Sequence, residues 1–351
     1  MIRVHSDVIQ FRGSHYDFGY AQGESLKNSL LLKNRKVQWL SSPYSQVYID
    51  VKAFKRDLLR FSPPVYEEIM GLQDALQLSI EDTIRLFGGY DTDRIKSGCS
   101  IFLTEEYMVR NYDNAPQTYE GRFVFYQPTD RGYASLGPSM QITGRTDGMN
   151  EKGLVMGYNF INTKQKANGF ICNMIGRLVL ENCGTIDEAI ELLKAIPHRH
   201  SFSYPLLDAK GNYVVVEASP RDVVVHQEHL CTNHFTKLTQ ENRYRMEDSL
   251  RRKKEMAKQE TSVTDSLSAY KMMNDTERGV FSTSYGTWSG TLHTALYIPK
   301  ERTVGFALGG DRKPVFFSFA EWLKGKRLPI TTINGELKSQ IGFANRRLSK
   351  A

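Results

Sequence analysis

Across 351 residues the chain has only four cysteines, Cys99, Cys172, Cys183 and Cys231, and none forms a CxxC pair. So sparse a set excludes a disulfide framework and argues against structural zinc, and it fits reduced thiols in a cytosolic protein. No stretch approaches the roughly 18 apolar residues of a membrane span. Met1 to Gly13 holds His5, Asp7 and Arg12 and no apolar signal region. The cytoplasm is therefore the expected location, with no membrane partner. Internal repeats and low-complexity tracts are absent too. The chain is basic, with formal net charge +7 and pI near 9.0, yet it has no helix-turn-helix, zinc finger or RNA-binding aromatic pattern. Its densest basic run, Arg243 to Lys258, carries Glu247, Asp248 and Glu255 at helical offsets from the bases. That is the pattern of a solvated, salt-bridged helix face. Nucleic acid is not an expected partner.

Hydrophobic residues make up 40% of the chain and charged residues 24%, which supplies a core for one large domain or two modest ones. After a short opening strand at Val8–Phe11, helical patterns run over Asp17–Val37, Val51–Phe61 and Pro64–Leu76, and Ser79 caps another towards Tyr90. From Cys99 the pattern turns to strands: Ser100–Thr104, Tyr107–Arg110, Phe123–Gln127 and Leu154–Asn162. A helix pair follows at Asn173–Cys183 and Thr185–Ala195, the second opened by a Thr185–Glu188 capping box. Tyr204–Asp208, Tyr213–Ala218, Asp222–Gln227 and Leu230–Phe235 then read as an antiparallel meander. Helices over Glu241–Lys258 and Val263–Asn274 precede two final strands, Thr291–Ile298 and Thr303–Leu308. The fold class is α+β, with antiparallel sheets covered by helices; a four-layer αββα sandwich agrees with this count.

Chemistry concentrates at Gly98-Cys99-Ser100 and at Arg110-Asn111-Tyr112-Asp113 on the next strand. A thiol attacks as thiolate and needs a nearby cation or base. An α-amine, with an ordinary pKa of about 7.7–8.0, is a usable base at neutral pH, so an N-terminal cysteine carries both groups on one residue. Cutting Gly98–Cys99 would release that amine, and Gly98 lets the thiol reach its own upstream carbonyl. An aspartate beside the amine would orient it, and an arginine beside the sulfur would favour thiolate. On a regular strand Arg110 and Tyr112 point one way, and Asn111 and Asp113 the other unless a bulge intervenes. Asn233, in Thr232-Asn233-His234, is a competent oxyanion donor, and Asn159 is a polar residue in an apolar strand. Other readings stay open here. Cys99 could be a buried small hydrophobe, a Cys99–His234 dyad could use Asp113 as orienter, and His198, His200, His226, His229 and His234 could contribute to a metal site.

In order and spacing, several segments resemble the penicillin acyltransferase and choloylglycine hydrolase branch of the N-terminal nucleophile hydrolases. They are FRGSHYDFGYAQGESLK, EEIMGLQDAL, SGCS, RNYD, GMNEKGLVMGYNF, LDAKGNYVVVEASP and CTNHF. The resemblance implies an αββα fold in which a helical leader, residues 1–98, packs with residues 99–351 as one domain. It also implies self-cleavage at Gly98–Cys99 and attack by Cys99 on a linear amide through a thioester acyl-enzyme. Arg110 and Asp113 would support Cys99, with Asn233 lining the oxyanion hole and Asn159 as second contributor. No cofactor or metal is implied. The partner is a small-molecule acylated amine, with an acyl-CoA or a peptide-like acyl donor in range, and homo-oligomerisation stays open. An uncleaved, non-catalytic ligand-binding relative is the alternative. The penicillin acyltransferases have a Gln-like residue in place of Arg110, and an arginine expected before the penultimate strand has no counterpart in FSTSYGTWSGTLHTALY.

Overall fold

β1 (Ile2–Gly13) is a long strand, well beyond the Val8–Phe11 that alternation predicts, and it begins the computed structural model. The structure describes residues 1–40, 49–91, 98–163, 166–243, 246–286 and 289–346. The single helix expected over Asp17–Val37 is two, α1 (His15–Leu26) and α2 (Leu30–Leu40). Ser29 causes the break: its hydroxyl accepts from the Leu32 amide and caps a new helix. α3 (Val51–Phe61) is capped by Asp50, α4 (Pro63–Leu76) opens on a proline pair, and α5 (Ile80–Phe87) is capped by Ser79.

Beyond Gly98 come β2 (Cys99–Leu103), β3 (Met108–Asn114), β4 (Arg122–Pro128), β5 (Ser135–Met140), β6 (Gly144–Arg145) and β7 (Asp147–Asn150). The strand expected over Leu154–Asn162 divides at Tyr158 into β8 (Val155–Gly157) and β9 (Asn159–Phe160), because the Tyr158 carbonyl leaves the ladder to accept from Arg110 at 2.6 Å. Next are α6 (Cys172–Asn182), α7 (Ile186–Ala195) with its Thr185–Glu188 capping box, and the antiparallel β10 (Phe202–Leu207), β11 (Tyr213–Ala218) and β12 (Val223–His226). β13 (Leu230–Cys231) is not part of that meander: it crosses to pair with β2, and the chain turns at Thr232 to place Asn233. α8 (Glu247–Gln259), α9 (Ser266–Asn274), β14 (Gly290–Ile298), β15 (Thr303–Leu308), β16 (Val315–Ser318), α10 (Phe319–Leu323) and β17 (Thr332–Leu337) complete the chain. Two strands therefore follow the pair expected to be last.

Among the described residues the larger sheet has eleven strands, running β12-β11-β10-β8-β7-β5-β4-β1-β17, with β6 on β5 and β9 on β10. The smaller has six, in the order β13-β2-β3-β14-β15-β16. The sheets face each other across an aromatic seam in which Phe123 meets Phe306 at 4.8 Å and Phe317 at 5.7 Å. α6 and α7 cover the outer side of the larger sheet, and α8 and α9 cover the smaller one, giving the expected αββα layers. The segment before Cys99 is not an appendage. β1 lies inside the larger sheet, parallel to β4 and antiparallel to β17.

Candidate active site

Cys99 begins β2, directly opposite Tyr112 on β3, and is wholly buried. Arg110 lies two pairs further along, opposite Ile101, so it shares the inner face with the thiol, and its Nη2 donates to Sγ at 3.5 Å. Gly157 lets the sheets close here: a Cβ on it would stand 2.9 Å from Ile101 Cδ1 and 3.2 Å from Arg110 Cδ. Burial pushes the Cys99 thiol up, and the Arg110 charge opposes that push. Arg110 itself keeps its charge, because Cys99 and Asp147 outweigh the burial that disfavours it.

Asp113 stands beside the Gly98–Cys99 peptide from the other face. A Cβ on Gly98 would meet Ser289 Oγ at 3.2 Å, Asp113 Oδ2 at 3.4 Å and Arg252 Nη2 at 3.5 Å, so a side chain there would press on all three. Burial raises the Asp113 carboxyl to about 7 despite Arg252 nearby and a hydrogen bond from Thr291 Oγ1 at 2.7 Å. A bulge does intervene, but on the partner strand: β14 slips register against β3 between Thr291 and His293. The extra residue, Leu292, lets Thr291 serve Asp113 while His293 stacks on the adjacent Tyr112 at 5.2 Å, although Tyr112 and Asp113 point to opposite faces.

Asn233 reaches the same peptide. Its Oδ1 accepts from the Cys99 amide at 2.7 Å, and its Nδ2 donates to the Phe160 carbonyl at 2.9 Å. Asn159 lies between two carbonyls tied to the site, that of Tyr158 to Arg110 and that of Phe160 to Asn233. Its own amide is buried and bonds no nitrogen or oxygen, lying instead beside the Cys231 thiol, and the Ser203 hydroxyl across the ladder is buried without a partner. All five sequence-predicted site residues, Cys99, Arg110, Asp113, Asn159 and Asn233, thus converge on one end of β2 and β9.

The solvated-face reading of the basic run fails at Arg252. α8 presents Ser249, Arg252 and Met256 inward, and Arg252 is buried. Its Nη1 donates to the Cys99 carbonyl and to Ser100 Oγ, both at 2.6 Å, and its Nη2 donates to Asn233 Oδ1 at 2.8 Å. Spacing by three and then four residues is a helical stripe, the signal that could have singled Arg252 out of its charged neighbours. Residues 244–245 of that run, and 287–288 of FSTSYGTWSGTLHTALY, lie outside the described residues. Sequence reasoning also passed over Asp147, which is salt-bridged to Arg110.

The histidines disperse. His198 bonds the Leu193 carbonyl, His226 bonds Glu217, and His229 bonds Glu260. His234 faces Ser249 Oγ at 2.8 Å and Thr232 Oγ1 at 3.2 Å instead of the thiol, so the Cys99–His234 dyad does not form. Among the described residues no group of three or more His, Cys, Asp or Glu is placed to hold a metal ion.

Among solved structures, the chain is similar to penicillin V acylase from Agrobacterium tumefaciens (16% identity, 64% of this chain and 86% of that one, TM-score 0.42). It is also similar to a mutant of the conjugated bile acid hydrolase of Clostridium perfringens (15%, 70% and 98%, 0.45). A third is the Caenorhabditis elegans ortholog of N-acylethanolamine-hydrolyzing acid amidase (11%, 58% and 93%, 0.41). No curated protein sequence matches the chain. No helix among the described residues is long and apolar enough to cross a membrane. The family profile described as acyl-coenzyme A:6-aminopenicillanic acid acyl-transferase matches residues 103–313, more than half of the chain, and with it the motif resemblance is borne out: this chain belongs to that family of N-terminal nucleophile hydrolases.

Proposed function

We propose that the chain cuts itself at Gly98–Cys99 and then works as a cysteine amidohydrolase or acyltransferase on a linear amide. One observation carries this reading. The Gly98–Cys99 peptide is enclosed by Asp113, Asn233 and Arg252, while the Cys99 thiol rests against Arg110. In self-cleavage Cys99 Sγ bonds to the Gly98 carbonyl carbon, the bond to the Cys99 nitrogen breaks, and that nitrogen takes up a proton. Water then hydrolyses the thioester, leaving a Gly98 carboxylate and a free Cys99 thiol and amine. The new amine is the base for later turnovers. Asp113 holds its proton and Asn233 Oδ1 keeps the contact it makes with the Cys99 nitrogen.

With substrate, Cys99 takes the acyl group as a thioester and releases the amine; water or a second amine then accepts the acyl group. Asn159, whose amide bonds no nitrogen or oxygen of the protein and rests beside the Cys231 thiol, is the donor for the tetrahedral oxyanion. Arg252 supplies the positive charge that the motif comparison left unassigned. The substrate class is a small acylated amine, with an acyl-CoA as one acyl source. The four cysteines are unpaired, as suits a cytosolic site of action.

Intact mass tests the reading directly. Self-cleavage yields fragments of 98 and 253 residues, the remainder of 351, and C99A yields neither. A wild-type chain that stays whole and takes up no iodoacetamide at Cys99 would support the uncleaved ligand-binding relative instead.

A further inference from the structure

We propose that Asp147, with His293 behind it, is the positioning group that aims the Arg110 guanidinium at the Cys99 thiol. The inference rests on the reading of Cys99 as nucleophile. Arg110 is flanked by the rings of Tyr112 and Tyr158, each 4.9 Å from its central carbon, and these rings hold it without fixing which nitrogen points where. Its contacts to Cys99 Sγ and to the Tyr158 carbonyl both use Nη2, and its buried Nε has no partner. The second anchor is Nη1, bonded to Asp147. Without it the guanidinium is hinged on a single nitrogen and can swing away from the sulfur.

Asp147 is built to remain an anion in that place. Besides Arg110 it accepts from Thr146 Oγ1 at 2.7 Å, His293 Nε2 at 3.1 Å and Tyr297 OH at 2.6 Å. Burial pushes its carboxyl up, but His293 and Arg110 outweigh burial and hold it below the usual carboxylate range. His293 is pushed the other way, towards neutrality, chiefly by burial. Tyr119 OH faces its Nδ1 at 2.8 Å, so the phenol donates there and Nε2 carries the proton given to Asp147. The β14 bulge makes this possible, since it turns His293 to the inner face next to Tyr112. Neither Asp147 nor His293 contacts the thiol, so whatever they do for Cys99 passes through Arg110.

That dependence can be tested by a double-mutant cycle on self-cleavage, followed by intact mass for wild type, D147N, R110Q and the double variant. D147N is expected to slow cleavage about 10–100-fold, the usual cost of removing a supporting partner, while adding it to R110Q costs nothing further. D147E, which restores the charge on a longer arm, recovers part of the loss. Equal slowing by D147N in both backgrounds, or no rescue by D147E, marks a role confined to folding and overturns the proposal. If D147N does not fold, H293Q runs the same cycle with a smaller loss that again vanishes beside R110Q; additivity there is equally fatal. A wild-type chain that never cleaves or labels at Cys99 overturns the reading of Cys99 and this inference with it. A wild type that cleaves, with additive losses, overturns this inference alone.

Discussion

Two clusters of buried charge lie on either side of the larger sheet, and they treat their ionisable groups in opposite ways. Where the N-terminal helices α1 and α4 meet α6, Arg177 bonds Glu68 at 2.6 Å and Glu181 at 2.8 Å, and His15 sits between Glu181 at 2.9 Å and Asp130 at 2.7 Å. Burial would raise Glu181, but Arg177 and His15 bring it down to about 2, while Glu181 outweighs burial to raise His15. Around the Gly98–Cys99 bond burial prevails: the Cys99 thiol rises, and Asp113 rises to about 7. A compensated cluster fixes structure, and an uncompensated one stores groups ready to exchange protons. Arg145 is the open member of the first cluster, lowered to about 9 by burial and by Arg177.

The sharpest way to break this contrast is Cys99 itself. C99A should leave an intact chain indefinitely, as read by mass, with its melting temperature nearly unchanged. E68Q attacks the other side. Stranding Arg177 from one of its two carboxylates should cost about 3–5 kcal/mol in urea unfolding, yet leave the self-cleavage rate of the folded protein as it was. Loss of cleavage in E68Q at temperatures where it is folded would show that the clusters are coupled. R252Q should slow cleavage by about 10²–10³-fold, the scale of one lost charge-stabilising donor, and a smaller effect would return α8 to a supporting role. The mildest test is pH. A carboxylate raised to about 7 is protonated in the native state well above its ordinary range. Its contribution to stability is therefore complete below about pH 4 and fades as pH climbs through 7. Unfolding measured across that window should show the decline in wild type and lose it in D113N, and self-cleavage should climb with an inflection near the same pH.

Much of the architecture was legible because its elements obey simple periods. The Thr185–Glu188 capping box, the helix pair after Ile171 and the alternating strands of the second half stand nearly where the pattern puts them. β5 was hidden by glycine and proline in SLGPSM, and β7 by the polar Asp147 and Asn150, since both strands bury polar groups that alternation scores as loop. Cys99, Arg110, Asp113 and Asn233 were readable from local motifs. Arg252 was not, because a lone buried cation in a charged helix differs from its neighbours only by stripe position. Asp147 and His293 were invisible for another reason. They are remote in sequence from Arg110, and a bulge that no residue pattern announces brings His293 round to Asp147.

β1 carries a last consequence. Because this strand is threaded between β4 and β17, severing the chain after Gly98 would convert an internal ladder into an interface between two polypeptides. Unfolding before such a cut would be unimolecular; after it, recovery would need two separate molecules to meet, so the refolding yield of a cut chain should fall on dilution. Such a cut would work as a one-way ratchet, in which the first 98 residues guide assembly once and each cut molecule persists on the height of its unfolding barrier.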